Sequence, residues 1–172
     1  MMIYKLVRYI FLILLSLPAV AHIPVLVNKA PINCYLSQVF YSKDQMIFNR
    51  GKTNDHLFFI HNMTLTPLIV THIKESPGAG AGWASRLNPG EWSALHMHRS
   101  DFTFNCYDIY DKGELTQVSC ENSVIICTAD SKEAAAHADI SSYWVAENQA
   151  FSQILEQVEK RGFILKNKPR LQ

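Results

Sequence analysis

Apolar and polar residues alternate along much of this chain, and clusters of Gly, Pro, Asn, Asp and Ser break the pattern at short intervals. The clearest case is 102–106. There Phe102, Phe104 and Cys106 alternate with Thr103 and Asn105, the period of two expected of a strand with one buried face. Residues 34–40, 45–49, 68–74, 83–87, 91–98, 101–110, 115–120 and 124–128 read as strands, and the short apolar run 57–60 reads as a buried one. Turn chemistry separates them: Ser42-Lys43-Asp44, the polar stretch 50–55, 62–67, Asn88-Pro89-Gly90, Arg99-Ser100, Asp111-Lys112-Gly113 and Glu121-Asn122-Ser123. The alternating glycines of 78–82 cannot be the interior of a regular element.

The pattern then changes. Residues 129–142 are alanine-rich and polar and predict a surface loop, with 143–145 as a last edge strand. Phe151, Ile154, Leu155 and Val158 follow the i, i+3, i+4, i+7 spacing of an amphipathic helix. Asn148 is placed to cap it and Gly162 to end it, and 166–172 reads as a frayed tail. The predicted fold is mainly β: an antiparallel β-sandwich of about eight or nine strands with a C-terminal α-helix lying on it. Residues 22–172 form a single β-rich domain by length.

Residues 1–21 read as a signal peptide outside the fold. Lys5 and Arg8 precede the apolar core 10–17, and Ala19-Val20-Ala21 offers small residues for cleavage before His22. A single membrane anchor is the competing reading. The apolar run is shorter than the roughly 20 residues that span a bilayer, so a periplasmic or secreted protein with no stable membrane span after cleavage is expected. The formal net charge of +1 offers no electrostatic footprint for nucleic acid.

In an exported chain, the four cysteines Cys34, Cys106, Cys120 and Cys127 imply two disulfides. Cys106 and Cys120 flank the turn near Lys112-Gly113, which favours pairing them on a hairpin and leaves Cys34 for Cys127. Zinc competes weakly, because no C-x-x-C pair is present. His96 and His98, two apart on one strand, share a face. With His61 and His72 on or beside neighbouring strands, they define an alternative reading as a copper- or zinc-binding protein. Trp83 and Trp92 read as core residues, or as an exposed binding patch. Asn62-Met63-Thr64 matches a glycosylation acceptor.

No catalytic constellation appears. There is no G-x-S-x-G and no S-x-x-K, and the cysteines are expected to be oxidised. The glycines have no G-K-[ST] sequel for phosphate. Asp108, Asp111 and Gly113 lack the ligand series of a calcium loop. The expectation is a non-enzymatic binding protein without a cofactor, whose partner is a protein or an envelope component.

A signal peptide followed by LFFIHN (57–62), AGWAS (81–85), EWSAL (91–95), FTFNC (102–106), the Cys120 to Cys127 interval, Tyr143-Trp144 and Arg161-Gly162 resembles the enhanced entry protein EnhB family. Its members are small exported proteins of intracellular bacterial pathogens. The resemblance covers most of the chain after residue 21. It implies a role in host-cell entry or intracellular survival, and it carries no catalytic residue.

Overall fold

The computed structural model describes residues 29–35, 39–48, 56–72, 84–97, 102–110, 113–132 and 142–172. The layering is set by β3, His56–Asn62. Its apolar run Leu57, Phe58, Phe59 and Ile60 is wholly buried, because alternate side chains enter two different cores. Phe58 and Ile60 face a second sheet, while Leu57 and Phe59 face a helix. A strand buried on both faces loses its polar alternation and reads as a continuous apolar run.

Around β3 stands a five-stranded antiparallel sheet. Its order is β10 (Ser142–Gln149), β6 (Trp92–Met97), β3, β9 (Val124–Lys132) and β11 (Ile164–Leu165). The facing sheet runs β1 (Val39–Ser42), β2 (Gln45–Phe48), β7 (Phe102–Ile109), β4 (Leu68–His72) and β5 (Ala84–Leu87). β8, Leu115–Val118, also pairs with β7. β2 takes the first half of one β7 edge and β8 the second half. The chain is therefore a two-sheet antiparallel sandwich.

Between the sheets, Phe48 stacks on Phe58 at 4.6 Å and tilts against Phe104 at 5.1 Å. Against the outer face of the five-stranded sheet lies helix α2, Phe151–Lys160, which follows the one-turn helix α1, Cys120–Ser123. The expected stripe of Phe151, Ile154, Leu155 and Val158 is buried there with Trp92, Ala94, Cys127 and Val145. Gly162, at φ 88°, closes α2. Gly162 N donates to Glu159 O at 2.9 Å and Phe163 N to Val158 O at 3.2 Å, the paired bonds of a Schellman end.

The two disulfides are Cys34–Cys127 and Cys106–Cys120, with Cα separations of 5.2 and 5.3 Å. This is the pairing expected from the spacing, but the second bridge is not a cross-strand one. Cys106 lies opposite Val118, so Cys120 sits two residues past that pair and opens α1.

Several local expectations change. Residues 129–132 extend β9 and are not loop, because Ala129 and Ser131 are buried and Lys132 and Ser131 pair with β11. The last strand runs to Gln149, beyond 145. Asn148 does not cap α2. It adopts φ 51° and its Oδ1 accepts from Asn88 N at 2.6 Å, while the Gln153 side chain returns to Ala150 N at 3.2 Å. The tail is not frayed throughout, since Ile32 and Arg170 exchange backbone bonds at 2.7 and 3.0 Å. Of the expected strand 34–40, residues 36–38 lie outside the described residues, Tyr35 makes an isolated bridge to Thr128, and Val39 and Phe40 belong to β1. Glu121-Asn122-Ser123 belongs to α1.

A groove between β1 and β9

A groove of about 320 Å³ lies where the edge strand β1 meets β9. Its lining includes Ala30, Val39, Met63, Val124, Ile125 and Ile126, with Tyr41 and Glu121 as the polar groups. Strand geometry places Val39 and Tyr41 two apart on one face of β1. Phe40 points the other way and is 57 % exposed.

Glu121 follows a cysteine fixed by the Cys106–Cys120 bridge, and Cys120 N donates to Asp44 O in the β1–β2 turn at 3.0 Å. These bonds hold the turn of the first hairpin against α1. Burial, and then the nearby Glu121 carboxylate, push the Tyr41 phenol above its ordinary value. The folded state therefore holds this proton more tightly than the unfolded chain. Its contribution to stability is complete below about pH 10, the unfolded phenol's value, and is lost as pH rises through the higher folded value. Absorbance titration near 295 nm should find one tyrosine ionising late, and Glu121→Gln should move that transition to lower pH. No movement would show that the carboxylate does not reach the phenol.

The loop carrying Met63 is fixed by Asn62, which is fully buried. Asn62 Nδ2 donates to Thr66 O at 2.8 Å and Leu87 O at 3.0 Å, and its Oδ1 accepts from Thr64 N and Thr64 Oγ1 at 2.8 Å each. Thr66 Oγ1 continues the network to Asp108 Oδ1 at 2.9 Å. Met63 N donates to Ser123 O at 2.9 Å, which ties the loop to the end of α1. The Asn62-Met63-Thr64 acceptor motif is thus a structural device: both amide protons are engaged in the folded protein. Asn62→Ala removes the buried bond to Leu87 O and the partner of Thr64 N, and should cost about 2–3 kcal/mol. Chemical denaturation measures it, and a cost under about 0.5 kcal/mol would contradict the network.

Of the histidines named from the sequence, His61, His72 and His96 are described, and they do not meet at one point. His61 is buried on the helix-facing side, stacked on Trp92 at 4.4 Å, with Nδ1 3.2 Å from Glu91 O. His96 is also buried on that side, beside Phe163 at 5.1 Å and Tyr143 at 5.4 Å, four positions along β6 from Trp92. His72 stands in the other sheet, edge-on to Phe102 at 5.0 Å and Phe104 at 5.9 Å. His98 lies outside the described residues. Among the described residues no group of three or more His, Cys, Asp or Glu could hold a metal ion.

The binding-patch alternative also changes. Trp92 is 1 % exposed and packs on Phe151 at 4.6 Å, so it is a core residue between sheet and helix. Trp83 lies outside the described residues. A second recess, of about 310 Å³, is lined by Trp144, Glu147, Gln149, Gln157 and Arg161 among others, where the β10 pairing shifts register. The size and polarity of the recess suit ordered water. Trp144 Nε1 and Gln149 Oε1 are each buried with no hydrogen-bond partner among the described residues, and the Trp144 ring packs toward the core between the sheets.

The groove residues were not singled out from the sequence. They come from separate stretches, and a turn glutamate such as Glu121 has no local signature. No protein-family model, curated protein or solved structure matches the chain. Among the described residues no helix is long and apolar enough to cross a membrane.

Proposed function

We propose that this protein is an exported, disulfide-bonded, non-enzymatic interaction module that takes its partner at the β1–β9 groove. The two disulfides point to an oxidising, non-cytoplasmic location. Within that, the leader-like residues 1–21 favour the periplasm or secretion. The resemblance to the EnhB family supports a role in host-cell entry or intracellular survival.

The observation that carries the binding reading is the groove itself, an apolar recess with a single carboxylate on a disulfide-anchored turn. An apolar concavity with a few placed polar groups is the usual form of a binding site. The test is capture of partners from the bacterial envelope and from host-cell extract, by the oxidised protein and by its Met63→Lys and Glu121→Lys variants. The expected result is a partner retained by the parent and lost by both variants. Capture unaffected by either variant would refute the groove as the site. Turnover of a generic hydrolase substrate, abolished by one side-chain change, would refute the non-enzymatic reading.

A further inference from the structure

We propose that the groove and the outer edge of β1 together bind an extended basic peptide, which adds to the sheet as a further strand and sets a Lys or Arg side chain against Glu121. This rests on the groove being the binding site and names the chemistry of its partner.

The backbone argument starts at the first turn. Lys43 and Asp44 both have positive φ, 48° and 67°, as a two-residue type I′ hairpin requires. Ser42 and Gln45 flank it and pair, followed by Tyr41 with Met46 and Phe40 with Ile47. In such a hairpin the flanking pair exchanges both backbone bonds, and bonded pairs then alternate with non-bonded ones. Ser42 and Phe40 therefore turn their N–H and C=O groups toward β2, and Tyr41 and Val39 turn theirs outward. Among the described residues no strand and no backbone bond meets that outer edge.

The two residues with outward backbone groups are the two β1 residues whose side chains line the groove. A strand added beside β1 would gain main-chain bonds from Val39 and Tyr41 and lay alternate side chains over the apolar lining. Strand addition with alternate side-chain pockets is a general mode of peptide recognition. Charge selects the sequence. Glu121 has no Lys, Arg or His partner among the described residues. A basic residue with apolar residues two positions away matches this surface, and an acidic one is repelled.

The test is selection of random decapeptides displayed on phage against the immobilised, oxidised protein. Enriched peptides should carry Lys or Arg two residues from an apolar one. Glu121→Gln, a surface substitution of the same shape, should weaken a selected synthetic peptide about fivefold, as expected of an exposed ion pair. Methylating the peptide's backbone amides one at a time should abolish binding at alternate positions only. The proposal is overturned by absence of enrichment, by acidic or uncharged winners indifferent to Glu121→Gln, or by tolerance of methylation at every amide, which would indicate side-chain capture alone. A parent protein that self-associates through β1 and excludes the peptide overturns it as well. If the proposal fails while partner capture still depends on Met63 and Glu121, the interaction reading stands without it. If capture ignores both residues, that reading falls too.

Discussion

Replacing Cys34 and Cys127 together by alanine should cost the folded protein roughly 4–5 kcal/mol, the value chain entropy assigns to a loop of this length. The bridge joins residues 93 apart in sequence. It anchors an N-terminal segment whose other described backbone ties are the Ile32–Arg170 and Tyr35–Thr128 pairs. Cys127 lies in the core between the five-stranded sheet and α2. The shorter bridge, 14 residues apart, should contribute less, roughly 3 kcal/mol. A domain's whole stability is about 5–15 kcal/mol, so the first double variant should stand close to unfolding. Urea denaturation of both double variants measures the order. A loss below about 1 kcal/mol for Cys34 and Cys127, or the reverse ranking, would contradict the arrangement.

Trp92→Ala should cost roughly 3–5 kcal/mol, the usual range for emptying a large aromatic site in a core. The ring lies between His61, stacked at 4.4 Å, and Phe151, tilted at 4.6 Å. Removing it opens a cavity at the seam of sheet and helix, and backbone hydrogen bonds keep β6 and β3 from closing over it. For a chain of this size the thermal midpoint should fall by about 10 °C. Near-ultraviolet dichroism should weaken, since a coupled aromatic group is lost. Phe40→Ala is the control: that side chain is more than half exposed and its loss should stay within about 0.5 kcal/mol. Equal losses at the two positions would mean that α2 does not cover the five-stranded sheet at Trp92.

The sequence revealed the parts of the fold that have local causes. The alternation in 102–106 marked β7, the 151–158 stripe marked the buried face of α2, and the turn between Cys106 and Cys120 suggested their pairing. The continuous run in β3 marked a buried strand but not which element covered each face. Residues 129–132 were misread because Ala129 and Ser131 are small or polar. They are strand through pairing with β11, a contact made with residues far along the chain. Asn148 looked like a cap and serves instead as an acceptor for Asn88 N.

Asn62 looked like a surface acceptor because its motif is local, whereas its burial depends on Thr66 and Leu87. The histidines looked like one set because β-strand neighbours are near in sequence pattern. The layers send His61 and His96 to the helix side and His72 to the other sheet. The groove had no signal at all, since Tyr41, Met63 and Glu121 come from three separate stretches.

An oxidising, non-cytoplasmic location underlies both the fold's staples and the rigidity of the groove. Mass mapping of the protein as recovered from its own cells, digested without reduction after thiols are blocked, tests it most directly. The predicted result is two linked peptide pairs, Cys34 with Cys127 and Cys106 with Cys120, and no blocked thiol. Recovery of the four cysteines as blocked thiols, or linked in another pairing, would contradict it.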